Sequence, residues 1–542
     1  MSATRNLLVL GTGLAVVAAM SGCSTGSSPG PGPTSPTASA TCSNPAVPST
    51  LPAPVASLAA STTTADGGPV VDTSFPTVQG LPYADVPVIA SKDGVLSTKF
   101  DTTNATYPVG GRPITGMTYA GQFMGPTLSV QPGDTIKIDF TNSLDETTNF
   151  HTHGLHTSPV TLSDNIFRVF ASDSTNQVEI KVPEKIAPGT YWYHAHLHGF
   201  TEAQVFSGLS GALLVGGLTE RLPKELQSAP DHLIAIKDVQ LSDSTIQTDN
   251  IDSNAPTTRL VNSQVNPVIS GQPGCTQLLR LGNFSADIWY KLKLDGAKFH
   301  VLTEDSNLVT SVKAVGELVF PPGKRYDVLV RWDDAGTYRL KTMPYSTGPQ
   351  GDDYPERVLA TFKVAGDTVA PVPMPTTLGD IPADQLPTMQ DDTIAARHTW
   401  VFSEDNKAGK FFINGKQFDS TAPNVVTKLG TTEEWTLKNT SKEAHPFHIH
   451  VNDFQVMSIN GKPVDALSLQ DIVPLEPGGT VVIRMRFLDF VGKYVFHCHI
   501  LAHEDNGMMA VVEVTKDGKR ASAAQEKAWD QPSEAMPAMS GM

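Results

Sequence analysis

An all-β chain of about three sandwich-like domains is what this sequence predicts, on three observations. Its 542 residues exceed what a single domain of roughly 100–200 residues accounts for. Its 44 glycines and 41 prolines punctuate many short apolar runs, the pattern of short strands joined by turns. Across 118–142 (TYAGQFMGPTLSVQPGDTIKIDFTN) apolar and polar residues alternate between Gly-Pro and Pro-Gly-Asp breaks, as in antiparallel sandwiches. The formal charge of −16 excludes the basic face that nucleic-acid binding needs.

Taken in order, Met1 to Gly22 reads as an export signal, with Arg5 as its positive start and Leu7 to Ala19 as its apolar stretch. That stretch is shorter than the roughly 20 apolar residues of a membrane span. Met20-Ser21-Gly22-Cys23 is similar to a bacterial lipoprotein cleavage box, so Cys23 is expected to be lipidated and to hold the protein on the outer face of the membrane. Residues 24–69 read as a disordered Ser/Thr/Pro-rich tether. A first β domain is expected over 70–217 and a second over 218–367, then a Pro-rich linker over 368–390. A third domain is expected over 391–516 and a tail over 517–542, part of it a short helix. The second domain contains only the isolated His232 and His300, so no metal site is read there and its role is taken as spacing.

The chemistry is concentrated in histidines. Of the 15 in the chain, ten lie in HTHG, HAH, HPFHIH and HCHILAH. Alternate side chains of a strand share a face. Each pair, His151/His153, His194/His196, His448/His450 and His497/His499, therefore presents two imidazoles to one side. Cys498, between the last pair, points the other way. With His503 and Met508 it makes three of the four ligands of a blue-copper site, which is His₂Cys with a weak axial Met. A lone His in a strand is usually a satisfied core or surface residue, but four ordered pairs do not fit that reading. Nor do eight paired imidazoles plus a His/Cys/His/Met set partition into zinc tetrahedra. Of the remaining cysteines, Cys42 and Cys275 are free to bridge in an exported protein.

HTHG, HAH, HPFHIH and HCHILAHEDNGMM, in this order, resemble the four copper signatures of the multicopper oxidases, over roughly 70–516. The likeness extends to the bacterial copper-efflux oxidases through HPFHIH, the HEDNGMM ending and YWYHAHLHG. It implies three consecutive cupredoxin-like Greek-key sandwiches and four coppers. Type-1 copper would be held by His445, Cys498, His503 and axial Met508, and type-2 by His151 and His448. One type-3 copper would take His153, His194 and His499, the other His196, His450 and His497. The trinuclear site would then lie between the first and third domains. Glu504 matches the acid that supplies protons for O₂ reduction in the copper-efflux relatives, and Asp164 matches the spacing of a carboxylate near type-2 copper in laccases. The alternative for each is a solvated loop acid. His156 and His198 are extras and not ligands. Thr152 stands where the family usually has Trp.

The implied activity is oxidation of a small reductant, one electron at a time, with O₂ reduced to water. Export and likeness favour Cu(I), or Fe(II) guided by Glu443, and a role in copper tolerance, with phenols and aromatic amines as the general-laccase alternative. The long Met-rich insertion of the copper-efflux relatives is absent, since 343–400 holds only Met343, Met374 and Met389. A copper nitrite reductase and a non-catalytic scaffold fit less well, because all twelve ligand side chains are present. Met536, Met539 and Met542 could loosely hold Cu(I), but a frayed terminus is the favoured reading of them. The chain is read as a monomer whose only membrane contact is the lipid.

Overall fold

A computed structural model describes Cys42 and residues 79–249, 251–379 and 381–530. The proposed signal, Cys23, nearly all of the tether and the terminal methionines lie outside the described residues. Among the described residues no helix is long and apolar enough to cross a membrane.

Six principal sheets pair into three sandwiches along the chain. The first packs a sheet containing Gly125–Val130, Ser210–Val215, Gly189–His194 and His151–His153 on one built around Arg112–Tyr119, Val95–Val109 and Thr135–Asn142. Inward residues such as Leu96, Phe100, Ile138, Phe140, Tyr193 and Leu213 form their common core. The second pairs the sheet of Asp231–Val239, Thr276–Asn283 and Arg325–Arg331 with that of Tyr290–Leu294, Gly336–Thr342 and Arg357–Val364. The third pairs the sheet of Ile394–Asp405, Thr431–Asn439 and Thr480–Phe487 with that of His445–Ile449, Gly492–Cys498 and Met509–Thr515. Period-2 burial marks the half-buried strands, as in Thr480–Phe487, whose residues alternate partly exposed and buried.

The sandwiches are not strung as separate beads. Leu241–Ser242 and Thr245–Ile246 lie within the expected second domain by sequence, yet they extend a sheet of the first through the Thr245–Thr115 pairing. Gln79 and Pro82 in turn bridge to Val265 and Val268. A core containing Phe123, Trp192, Phe206, Leu260, Phe284 and Leu501 joins residues of all three sandwiches. Cys42 and Cys275 form a disulfide with 5.9 Å between their Cα atoms. Ala523–Asp530 is a short helix, fastened by the Lys493–Glu526 ion pair at 2.7 Å.

Candidate metal centre

Strand register explains how the donors meet. In the first sandwich His151 lies opposite His194 and His153 opposite Trp192, so their side chains share one face. The intervening Thr152 and Tyr193 point to the other face, and Tyr193 enters the first core. In the third sandwich His448 lies opposite His497, and Phe447 opposite Cys498. His448 and His497 face the first sandwich, while Phe447, Cys498 and Met508 turn into their own core.

Eight imidazoles, His151, His153, His194, His196, His448, His450, His497 and His499, thereby meet at the junction, each at most 3% exposed. The Nε2 atoms of His196, His450 and His497 converge, at 3.1 to 3.3 Å from one another. His151 groups with His448 and His450, and the His151 and His450 rings stack at 3.9 Å. His153, His194 and His499 are gathered less tightly, with ring centroids 4.9 to 6.0 Å apart. The donor of His153 groups instead with those of His448 and Asp471.

On the other side of the Gly492–Cys498 strand lies a second pocket. Cys498 Sγ is 3.6 Å from His445 Nδ1 and 3.7 Å from His503 Nδ1, and those nitrogens are 3.2 Å apart. The loop is cinched by two backbone bonds, Cys498 N–H to Met508 O at 3.0 Å and Met508 N–H to His503 O at 2.9 Å. These bonds keep Met508 beside the pocket. Burial raises the Cys498 thiol well above its usual range, and a bound metal would reverse that by taking the thiolate.

Buried polar atoms normally have partners. Here the Nε2 atoms of His151, His153, His194, His448 and His499 have none among the described residues. The opposite nitrogens of several are held by the protein: His151 Nδ1 by Asp164 at 2.9 Å, His194 Nδ1 by Ala195 O and His448 Nδ1 by Asp471 O, both at 2.8 Å. One nitrogen tied back and the other aimed inward is the arrangement of metal-binding histidines. Burial, followed by the neighbouring imidazoles, lowers the pKa of His151, His153, His448 and His450 well below the ordinary value, which keeps them neutral and able to ligate. Soft sulfur with imidazole in one pocket and imidazoles alone in the other suit copper.

Neither acid singled out in the sequence is a solvated loop residue. Glu504 is fully buried, with Oε1 3.3 Å from His196 Nδ1 and Oε2 3.1 Å from His497 Nδ1, so one carboxylate faces two histidines, while Nδ1 of His497 is tied back by Cys498 O at 2.9 Å. Burial alone would raise its pKa, but the facing imidazoles outweigh it and hold the carboxyl well below the usual range. Asp164 behaves oppositely. Burial pushes it up to about 8, although Thr152 donates to Oδ2 from its hydroxyl at 2.9 Å and its N–H at 3.3 Å. The unusual Thr152 therefore positions Asp164 and leaves the ligands undisturbed. His156 ties the first sandwich to the third through Val451 O at 2.7 Å and Asp489 at 2.8 Å. His198 packs edge-on against Phe418.

The second sandwich contributes no donor to the metal-type groups among the described residues, yet it does more than space its neighbours. Arg325, fully buried, donates to both oxygens of Asp471 at 2.7 and 2.8 Å and lies 3.1 Å from His153 Nδ1. Lys324 and Asp305 continue the network: Asp305 accepts from Lys324 Nζ at 2.9 Å and from the N–H groups of Asp471 and Ile472 at 3.2 and 3.1 Å. A Cβ on Gly154 would lie 2.4 Å from Arg325 Nη2, and one on Gly323 2.9 Å from His499 Nε2, so both glycines permit close approach. Spacing could not reveal these residues, because the partners of Arg325 and Asp305 in the third sandwich are 146 or more positions away.

The fold and its two donor pockets define a copper protein of joined sandwich domains. Three multicopper oxidase family models match 101–219, 230–365 and 385–518, and the chain belongs to the multicopper oxidase family. Multicopper oxidase mco of Staphylococcus haemolyticus is 28% identical over 73% of this chain and 83% of its own. A Campylobacter jejuni multicopper oxidase described as a metallo-oxidase superposes with a TM-score of 0.70 at 26% identity, covering 81% of this chain and 96% of its own. A laccase-like enzyme of Ochrobactrum sp., with activity towards lignin model compounds, gives 0.66 at 25% identity over 81% of this chain and all of its own. Membership makes the chain an O₂-using oxidoreductase with four coppers and a small reducing substrate.

Proposed function

We propose that this oxidase takes its electrons from a metal ion, Cu(I) or Fe(II), outside the cytoplasm, where lipidated Cys23 tethers it and where it serves copper tolerance. The reading rests on one observation. Glu443 Oε2 lies 3.7 Å from Nε2 of His503, and both side chains are only 9% exposed. Burial, then the nearby Asp352 and Glu404, pushes the Glu443 carboxyl up to about 8. A carboxyl destabilised as an anion by other acids gains most from a cation beside it, and a neutral phenol offers no such relief. Ser441 Oγ, 2.8 Å from His445 Nε2, ties back the outer nitrogen of the other imidazole, and the Glu404 carboxylate lies 3.5 Å from the same atom.

In this assignment His445, Cys498, His503 and Met508 hold type-1 copper, and His151 and His448 hold type-2. His153, His194 and His499 hold one type-3 copper, while His196, His450 and His497 hold the other. Copper bound there supplies one-electron chemistry and the place where O₂ accepts four electrons and four protons to become two waters. Cys498 and its chain neighbours His497 and His499 join the pockets through backbone bonds alone. The Cys498 carbonyl, 2.9 Å from His497 Nδ1, fixes the Nδ1–H form of that imidazole and directs its Nε2 inward, while the Glu504 carboxylate faces the Nδ1 atoms of both His196 and His497. Asp164, poised near neutrality, is the acid suited to holding and releasing a proton at His151 Nδ1.

Oxygen uptake by copper-loaded protein with Cu(I), Fe(II) and a phenol in parallel tests the proposal, repeated with Glu443→Gln. Faster turnover of the metal ions is expected, with the variant losing metal-ion oxidation relative to the phenol. A wild type that prefers the phenol to both ions overturns the ranking.

A further inference from the structure

The third sandwich carries a feature that the copper chemistry does not require. Lys410–Ile413 is a short edge strand, and the chain that follows it to Phe418 lies across the loop after His503. Three hydrogen bonds strap it down. Phe411 N–H donates to Asn506 O at 3.3 Å, Phe418 N–H to Gly507 O at 3.0 Å, and Gln417 Nε2 to Asn506 O at 3.0 Å. The fit is close, since a Cβ on Gly507, whose φ is +112°, would lie 2.8 Å from Gln417 Cβ. This strap places the Phe411 ring flat on His503, with centroids 4.0 Å apart and planes 18° from parallel. His445 lies against the same imidazole edge-on at 5.1 Å, and Nε2 faces Glu443.

We propose that Phe411 is a specificity-determining residue: it occupies the face of His503 on which an aromatic reductant would stack and leaves the Glu443 carboxylate as the approach, which selects small cations over phenols. This rests on the metal-ion reading above and adds the residue that enforces it. Aromatic rings make their closest contact in offset-stacked or edge-to-face pairs. Phe411 already makes the stacked pair with His503, and two main-chain bonds and the Gln417 side-chain amide keep it there. A phenol must then give up its electron and its hydroxyl proton from outside the Phe411 ring. Fe(II) or Cu(I) gives up only an electron, and it needs a carboxylate oxygen rather than a ring face. In both cases four such oxidations, with four protons, balance the reduction of one O₂ to two waters.

Phe411→Ala tests this in the full chain. The ratio of phenol to Fe(II) turnover, measured as kcat/KM by oxygen uptake, is expected to rise by about tenfold as the contact distance shortens. Independently of turnover, deuterium exchange at the His503 imidazole C2 position, read by mass spectrometry on the copper-free chain, is expected to accelerate. Faster exchange with an unchanged ratio overturns the gate, and unchanged exchange overturns the cover. If Phe411→Ala does not load copper, the pair Phe411→Leu and Phe411→Trp reads the same gate: the ratio should rise with Leu and fall with Trp, and equal ratios reject it. The two proposals fail separately. If Glu443→Gln leaves the metal-ion preference intact the cation reading falls, while the exchange and ratio results of Phe411→Ala still decide the cover.

Discussion

Arg325→Met removes the guanidinium that the second sandwich inserts between the other two. The wild-type contact consists of two charge-assisted bonds to Asp471, at 2.7 and 2.8 Å, in a site with no solvent access to Arg325. Removing one partner of such a buried pair costs about 3–5 kcal/mol, because the other charge stays behind. Asp471 can respond by protonating, since burial pushes its carboxyl upward and Arg325 is the group that opposes this. The lost bonds to a charged group, at about 1.5–3 kcal/mol each, keep the penalty in the same range. Spread over the closed and opened junction, that is a shift of roughly two to three and a half orders of magnitude in their equilibrium. Copper retention against a chelator measures it, together with hydrogen exchange of the segments 151–153 and 445–450. Both should deteriorate in Arg325→Met. Arg325→Lys, with its charge but no fork, should recover only part of the loss. A methionine variant that keeps wild-type retention and exchange would refute the claim that the middle sandwich holds the cluster together.

Glu504→Gln is expected to keep the blue type-1 absorbance but slow O₂ turnover at saturating reductant, since an amide cannot present a carboxylate's negative charge to both His196 and His497; an unchanged rate rejects that role. Asp164 gives a signed pH effect in the copper-free protein. Its folded pKa, about 8, lies above the ordinary 3.8, so its contribution to stability is fully present below about pH 4 and is lost as pH rises towards 8. Asp164→Asn mimics the protonated form, so denaturation midpoints of the wild type should fall relative to the variant between pH 5 and 8; a constant difference contradicts the shift.

Much of the metal centre was legible in the sequence because strand periodicity is local. His497, Cys498 and His499 are consecutive, and alternation alone sends the sulfur one way and the imidazoles the other. The sandwiches were legible for the same reason, through short alternating runs between Gly and Pro. What remained hidden depends on distant chain segments. Arg325 opens the strand Arg325–Arg331, and nothing nearby in the sequence names Asp471 or His153 as its partners. The middle sandwich therefore read as a spacer. Phe411 carries no signal in the sequence, because only the strap over Asn506 and Gly507 places it on His503. The Cys42–Cys275 bridge spans 233 positions, beyond the reach of any spacing argument. Glu504 and Asp164 were located by motif, yet only burial and neighbours reveal that their acidities are displaced in opposite directions.

The donors come from both ends of the chain, His151 in an early strand and His499 in one of the last, and this dictates an order of manufacture. A growing polypeptide has no complete cradle for the metal cluster until nearly the whole sequence has been made. Copper held by these donors would thus have no complete trinuclear site until the third sandwich has been made.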